Sequence, residues 1–542
     1  LKPNQLRRAG NLYRRRVRPW QLVSPELARA MGELSREFGR QLGVLLDRRG
    51  HVEWVIIGNA HKIILPDLGR LRGGRARFRG LRLVHTHLND EPLSRDDLTD
   101  LSLLRLDYMA AVCVGDDGLP GQLFLAHLLP GDQSREPWRL VQLHDLSELD
   151  MDFLAQVNAL ESEFSRKVGL AVMESGRERA VLVAVASRAC DGEDTLAELA
   201  ELARTADVDI AGQVLQIRAR PDPHFLVGRG RLEELVVETM QKGAGLIVFG
   251  CDLTPTQARA IADFTELKVI DRTQLILDIF ANHASSRDGK LQVELAQLRY
   301  RLPRLTREDG GLSRLTGGIG GQGPGETKLE INRRRARERI TRLEREIEKL
   351  SLQRAVRRAR RASNRLPVIS IVGYTNAGKS TLLNRLTHSK VIVENKLFAT
   401  LDPTSRRLRF PREREVIVTD TVGFIRDLPD DLFNAFRATL EELSHADLLL
   451  HVVDVSDQQL DDRVCAVERI LEQLGLSQVP RLVLLNKCDL LQDERGPVLA
   501  RRLRGHLISA EKEIGFPEFL KEVEQVLWSE GATSKGHIFG NM

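Results

Sequence analysis

The chain has 542 residues, too many for a single hydrophobic core, so three or four domains are expected. Hydrophobic residues make up 42% and aromatics 5%, which fits soluble domains with aliphatic cores, and no apolar stretch approaches the roughly 18 residues of a membrane span. The net charge is only +5, yet the 81 Lys and Arg are unevenly placed, which favours an anionic partner, and Cys113, Cys190, Cys251, Cys465 and Cys488 show neither paired nor metal-ligand spacing, which reads as a reducing, cytoplasmic setting.

Residues 1–22 are basic, with Arg7, Arg8, Arg14, Arg15, Arg16 and Arg18, and read as a flexible tail. An N-terminal α+β extension is expected over 23–178. Pro25 to Gln41 has helical periodicity, and Leu42 to Asp47, Val52 to Ile57, Lys62 to Leu65 and Leu81 to Val84 read as strands. The last of these runs into His85-Thr86-His87, and Ser94-Arg95-Asp96-Asp97 then opens a helix. Two imidazoles and the Asp97 carboxylate at this spacing would suit Zn²⁺. The pattern resembles the JAB/RadC-like metalloprotease fold, with three departures. Leu88 replaces a proline, the spacer before Ser94 is six residues, and Gln41 stands where the family's catalytic Glu is expected. Without that acid, zinc-bound water lacks its general base.

Over 179–289 short apolar strands, Val181 to Ala186, Val214 to Ala219, Leu246 to Phe249 and Lys268 to Ile270, alternate with helical stretches Thr195 to Ala206, Arg231 to Gln241 and Pro255 to Phe264. That alternation predicts a small, mostly parallel sheet. Gly228-Arg229-Gly230 lacks a full dinucleotide fingerprint and reads as a tight turn. Over 290–365, Leu291, Leu295, Leu298 and Leu302 and then Leu329, Ala336, Ile340, Leu343, Ile347 and Leu350 follow heptad steps, predicting an antiparallel helical hairpin. The loop between, Asp309 to Gly325, carries eight glycines. Glu326 to Ala362 holds 14 Lys/Arg against 6 Asp/Glu, a basic arm suited to RNA.

The stretch 366–530 carries the most specific chemistry. Gly373-Tyr-Thr-Asn-Ala-Gly-Lys-Ser-Thr381 after the apolar run Val368 to Val372 is a P-loop. Gly373 and Gly378 let the backbone curl around phosphate, with Asn376, Ala377 and Thr381 in the same cradle. Lys379 would reach the outer phosphates, and Ser380 would hold Mg²⁺. Glu415 to Asp420 reads as a strand ending in a second Mg²⁺ acid, Gly423 as a γ-phosphate contact and Thr400 as the switch threonine. Asn486-Lys487-Cys488-Asp489 and Ser509-Ala510 complete the set, because a carboxylate at Asp489 accepts from the two N–H groups on guanine's edge and adenine offers no such pair. The reaction expected is therefore GTP hydrolysis, with Lys379, Thr400 and Gly423 nearest the chemistry, rather than that of a generic P-loop ATPase. Phe424 stands where Ras-like enzymes carry a water-orienting Gln, and Asn376 resembles the asparagine with which cation-dependent GTPases hold K⁺. Strands Val368 to Val372, Arg407 to Phe410, Glu415 to Thr419, Leu448 to Val453 and Leu482 to Leu485, with a terminal helix Phe516 to Leu527, predict a doubly wound sheet. Residues 531–542 read as a polar tail.

Gly317-Gly318-Ile319-Gly320, Gly323-Pro-Gly-Glu-Thr-Lys-Leu-Glu330, Leu291-Gln-Val-Glu-Leu-Ala-Gln-Leu298 and Asp271-Arg-Thr-Gln274, together with the ordered GTPase motifs, resemble the HflX family of ribosome-associated GTPases. The resemblance covers about 180–530. It implies binding, as a monomer, to the large ribosomal subunit and its RNA, splitting of stalled or idle ribosomes, a role after stress, and a glycine loop aimed at the peptidyl-transferase centre. Two other readings stay open: a GTP-regulated metallopeptidase-like enzyme, and a GTP-switched scaffold without a ribosomal role.

Overall fold

In the computed structural model the described residues are all except 1, 67, 69–76, 131–136, 176, 266, 306–327, 363–365, 388–397, 399–403, 411–413, 421–422, 426–432, 434–440, 458, 492–494 and 529–542. The expected glycine loop, Thr400 and the polar tail lie outside them. The chain divides into two units, one of Leu1–Ala203 with Asp207–Arg272 and the other of Arg204–Ala206 with Thr273–Met542.

The first unit holds two sheets. Residues read as a loose basic tail are structured instead: α1 spans Pro3–Gly10, a 3₁₀ turn follows over Asn11–Arg14, and Leu12, Val17 and Leu22 are buried. The physical reason is the apolar residue every five or so positions, which anchors a segment whose charges face water. Helix α2 (Pro25–Phe38) starts where the Ser24 hydroxyl accepts from Leu27 N–H and stops at Gly39, whose φ of 60° is left-handed. Its apolar stripe of Leu27, Ala28, Met31 and Leu34 joins the core of a six-stranded sheet.

The strands of that sheet are β1 (Leu42–Asp47), β2 (Val52–Ile57), β3 (Leu81–His87), β4 (Tyr108–Val114), β5 (Pro120–Leu128) and β6 (Trp138–Leu143), in the order β2-β1-β3-β4-β5-β6. Neighbours are antiparallel except β3 and β4, which run parallel across the crossover helix α3 (Arg95–Leu103). The expected strand Lys62 to Leu65 is a loop. There Asn59 Oδ1 accepts from the backbone of His61 and Lys62, so the side chain competes with a ladder, and Ile63 is buried in the core with Leu65 packed against it. Helix α4 (Phe153–Ser175) leads to the second sheet, β7 (Arg179–Ala186), β8 (Asp209–Ile217), β9 (Leu246–Phe249) and β10 (Lys268–Asp271), fully parallel in the order β10-β9-β7-β8. Helices α5 (Ala189–Thr205), α6 (Arg229–Gln241) and α7 (Pro255–Thr265) make its crossovers, and Gly228 is the N-cap of α6.

In the second unit, α8 (Arg272–His283) is followed by α9 (Arg287–Arg301) and α10 (Lys328–Ala362). The last two pack together: Leu343 and Ala296 are buried, Arg339 bonds both oxygens of Glu294 at 2.7 and 2.8 Å, and Arg299 pairs with Glu344 at 2.6 Å. A second six-stranded sheet follows, of β11 (Val368–Gly373), β12 (Thr404–Phe410), β13 (Arg414–Asp420), β14 (Leu448–Asp454), β15 (Arg481–Asn486) and β16 (Gly505–Leu507), in the order β12-β13-β11-β14-β15-β16. All pairs are parallel except β12 with β13. Because β11 lies between β13 and β14, the order reverses there, and the crevice at the strands' carboxyl ends is where such sheets take ligands. Among the described residues no helix is long and apolar enough to cross a membrane.

Candidate functional site

The chain turns from β11 into α11 (Lys379–Thr387) through a backbone that few residues tolerate. Gly373 has φ 152°, and a Cβ on it would lie 2.3 Å from Val452 O; Gly378 has φ 93°, and a Cβ there would lie 2.3 Å from Asn486 Nδ2. Asn376 takes a left-handed φ of 62°. Lys379, with Ser380 and Thr381 behind it, opens α11, so their backbone N–H groups face the crevice at the positive end of the helix.

Lys379 is buried, and its ammonium donates to Tyr374 O at 2.8 Å. Burial pushes its pKa down to about 8, against the pull of Asp420. The Ser380 hydroxyl donates to Asp420 Oδ2 at 2.7 Å, so the hydroxyl and carboxylate expected to share a metal ion already share a proton. Both are hard oxygen donors, the set that Mg²⁺ takes. Gly423 lies beside them: a Cβ there would come 3.0 Å from Lys379 Nζ. Phe424 is buried, and its backbone joins the P-loop, donating to Gly373 O at 3.1 Å and accepting from Thr375 N at 2.8 Å. Thr400 lies outside the described residues, as do Thr421 and Val422.

At the other end of the crevice Asn486 is held by the protein through both ends of its amide. Its amide donates to Ala377 O at 2.8 Å and its carbonyl accepts from Ala510 N–H at 2.8 Å, tying the P-loop to the Ser509-Ala510 segment. Asp489 lies three residues on, in the 3₁₀ turn Cys488–Leu490. A hydrogen bond from the Ser509 hydroxyl holds its carboxyl below the usual range, with Lys512 adding to the effect from 3.5 Å. Lys487, left-handed at φ 63°, pairs with Asp454 at 2.6 Å. Lys512 and Asp454 are not singled out by the sequence motifs; the signal for Asp454 is an acid ending the apolar run of β14.

In the first unit, β3 carries His85 and His87 on its last turns and α3 carries Asp97, and the three ligand atoms lie within 4.8 Å of one another. His85 Nε2 and His87 Nε2 are 2.9 Å apart, and Asp97 oxygens lie 3.8 and 4.0 Å from them. His87 Nδ1 donates to Glu91 O at 2.8 Å, which makes its Nε2 the acceptor in the hydrogen bond with His85 Nε2 and the nitrogen a metal would take. Burial lowers His85 to about 4, which keeps its imidazole neutral. Asp97 has a second duty: its Oδ2 accepts from Ser94 N and Oγ at 2.8 and 2.6 Å, closing the cap of α3. Two neutral imidazole nitrogens and a carboxylate are a zinc donor set. Gln41 is buried two residues before Gly43, which pairs with His85 across β1 and β3.

Three family models match in succession: the N-terminal part of a GTP-binding GTPase over 193–281, the middle region of the same over 283–361, and a 50S ribosome-binding GTPase over 368–487. A GTP-binding protein of the archaeon Sulfolobus solfataricus, solved with GDP, aligns with 65% of this chain and 98% of its own at 24% identity and a TM-score of 0.37. GTPase HflX of Escherichia coli is 44% identical over 316 residues, 58% of this chain and 74% of that protein. GTPase HflX of Caldanaerobacter subterraneus is 50% identical over 354 residues, 65% of this chain and 82% of that protein. With half of the aligned residues identical across four-fifths of such a relative, and with the P-loop, Asp420 and Asp489 gathered at one sheet end, the chain belongs to the HflX family of GTPases and hydrolyses GTP.

Proposed function

We propose that this GTPase binds the large ribosomal subunit in its GTP state and splits stalled or idle ribosomes after stress. The observation that carries the reading is the basic helix α10 feeding directly into the nucleotide domain, in a chain matching a family model described as a 50S ribosome-binding GTPase. On this reading the protein works as a monomer in the cytoplasm, where ribosomes are, and the glycine loop reaches into the subunit. Lys379 neutralises charge developing between the β- and γ-phosphates, and Gly423 N–H meets the γ-phosphate. Ser380, Thr400 and Asp420 hold Mg²⁺, which supplies further charge neutralisation. Asp489 reads guanine, while Asn486, Lys487, Ser509 and Ala510 shape the base pocket. Asn376 holds K⁺ beside the phosphates. Sedimentation with purified large subunits tests the proposal: the chain is expected to pellet with them in a non-hydrolysable GTP analogue and not in GDP, and subunits are expected to raise hydrolysis at least about tenfold. Equal pelleting in both nucleotides, or none, overturns it and favours the scaffold reading.

The convergence of His85, His87 and Asp97 favours a second property, a zinc ion in a JAB-like extension that has no peptidase activity. Bound zinc would polarise a water, but Gln41, an amide, takes no proton from it at ordinary pH. Elemental analysis is expected to find at most one zinc per chain, absent in His87→Ala, with no peptide cleavage by the unmodified protein. A zinc-free protein removes this reading.

A further inference from the structure

The first 22 residues hold seven Lys or Arg and no Asp or Glu. Left in solution such a segment would repel itself, yet it is pinned to the first sheet at three points. Leu12, Val17 and Leu22 are buried, Val17 N donates to Gly50 O at 3.0 Å, and Arg16 bridges His51 through the backbone. The pinned stretch runs along β2, the edge strand of its sheet.

Pinning turns a charged tail into a fixed surface. Arg14, Arg15, Arg16 and Arg18 are exposed on either side of the buried Val17. Among the described residues Arg7, Arg14 and Arg16 take part in no ion pair, whereas Arg8 is paired with Glu37. One half-exposed aromatic ring stands in this stretch and another on β2. Tyr13 is 49% exposed, its hydroxyl held by Val55 N–H at 3.1 Å, and Trp54, the neighbour of Val55 on β2, is 43% exposed. Half-exposed rings on and beside an edge strand, in a segment rich in exposed guanidinium groups, lie outside the buried core. They match the pairing of base-stacking platforms with phosphate contacts used on single strands.

We propose that the edge formed by residues 13–18 and β2 binds single-stranded RNA, with bases stacked on Tyr13 and Trp54 and phosphates on Arg14 and Arg16. RNA is favoured over DNA because cellular RNA offers loops with unstacked bases, whereas duplex DNA hides them. This surface does not depend on the ribosomal reading of the arm, and the test is built to keep the two apart.

The protein used is the full chain with Arg357, Arg358, Arg360 and Arg361 replaced by Ala, which removes four of the arm's 14 Lys and Arg. Fluorescence anisotropy is read against a short labelled oligouridine, a duplex RNA and phosphatidylserine vesicles. Binding to oligouridine is expected to weaken about tenfold or more in Trp54→Ala and to be kept in Trp54→Phe, since stacking is worth about 1–3 kcal/mol per base. Arg14→Ala with Arg16→Ala is expected to flatten the slope of log K against log salt by about 1.4, roughly 0.7 for each single-strand phosphate lost. Unchanged GTP hydrolysis and thermal midpoint in Trp54→Ala would separate lost stacking from lost folding. Oligouridine binding indifferent to all three changes overturns the proposal, as does stronger binding to the duplex or to vesicles.

Discussion

The Asp489 carboxylate, kept ionised by the Ser509 hydroxyl and Lys512, is the group proposed above to read the base. Asp489→Asn puts an amide against guanine's donors in a snug site, and such discrimination reaches about 10⁴-fold or more. Competition binding is expected to show the variant preferring xanthosine triphosphate over GTP; retained GTP preference would mean that another group reads the base. His451, on β14 between Val372 and Val483, makes a second case. Burial, helped by Arg481 and Lys379, lowers it from 6.5 to about 4. The folded protein therefore holds it neutral while the unfolded chain protonates it. Its stabilising effect is complete above about pH 6.5 and is lost as the pH falls towards 4, by roughly 3 kcal/mol at the end. Unfolding of His451→Gln followed from pH 7 to 4.5 is expected to be less acid-sensitive than that of the parent, and parallel curves would exclude this role. Lys379, Ser380 and Asp420 were legible in the sequence because a short motif fixes each one's backbone. The hold of Asn486 on Ala377 and Ala510 was not, because it exists only after distant strands are brought together.

Elements of strong period were legible too: α2, α6, α7, β1, β2, β9 and β11 lie where spacing puts them. Strand β4 went unread because Tyr108–Val114 is buried throughout, and an unbroken apolar run has no alternation to separate strand from helix. Strand β16 has only three residues, too few for any pattern. The α9–α10 pair carries its own prediction. Replacing Arg357, Arg358, Arg360 and Arg361 by Ala is expected to weaken binding to large subunits and flatten its salt dependence, with GTP affinity of the free protein unchanged. Deleting 317–323 is expected to spare much of that binding and to impair splitting, because a glycine-rich loop contributes reach rather than charge. Sedimentation at several salt concentrations and a subunit-dissociation assay measure the two effects, and splitting unimpaired by the deletion would refute the division.

For the molecule as a whole, slow hydrolysis by the isolated protein is expected from Phe424, a buried side chain with no group to orient water. Basal hydrolysis is expected to be low and to rise when K⁺ replaces Na⁺; equal rates in the two salts would remove the cation role of Asn376. The three sheets also differ in how far apart their partners lie along the chain. In the first, β1 with β2, β4 with β5 and β5 with β6 join sequence neighbours. In the last, Ile369 of β11 pairs with Ile417's successor Val418 on one side and with Leu448 on the other. Long loop closures are slow to be rewarded, and chains emerge from synthesis at only about 5–20 residues per second. The extension with its histidine cluster therefore completes its pairings while the nascent P-loop strand has no partner, and the newborn chain acquires a nucleotide site only after residues beyond β14 have been made.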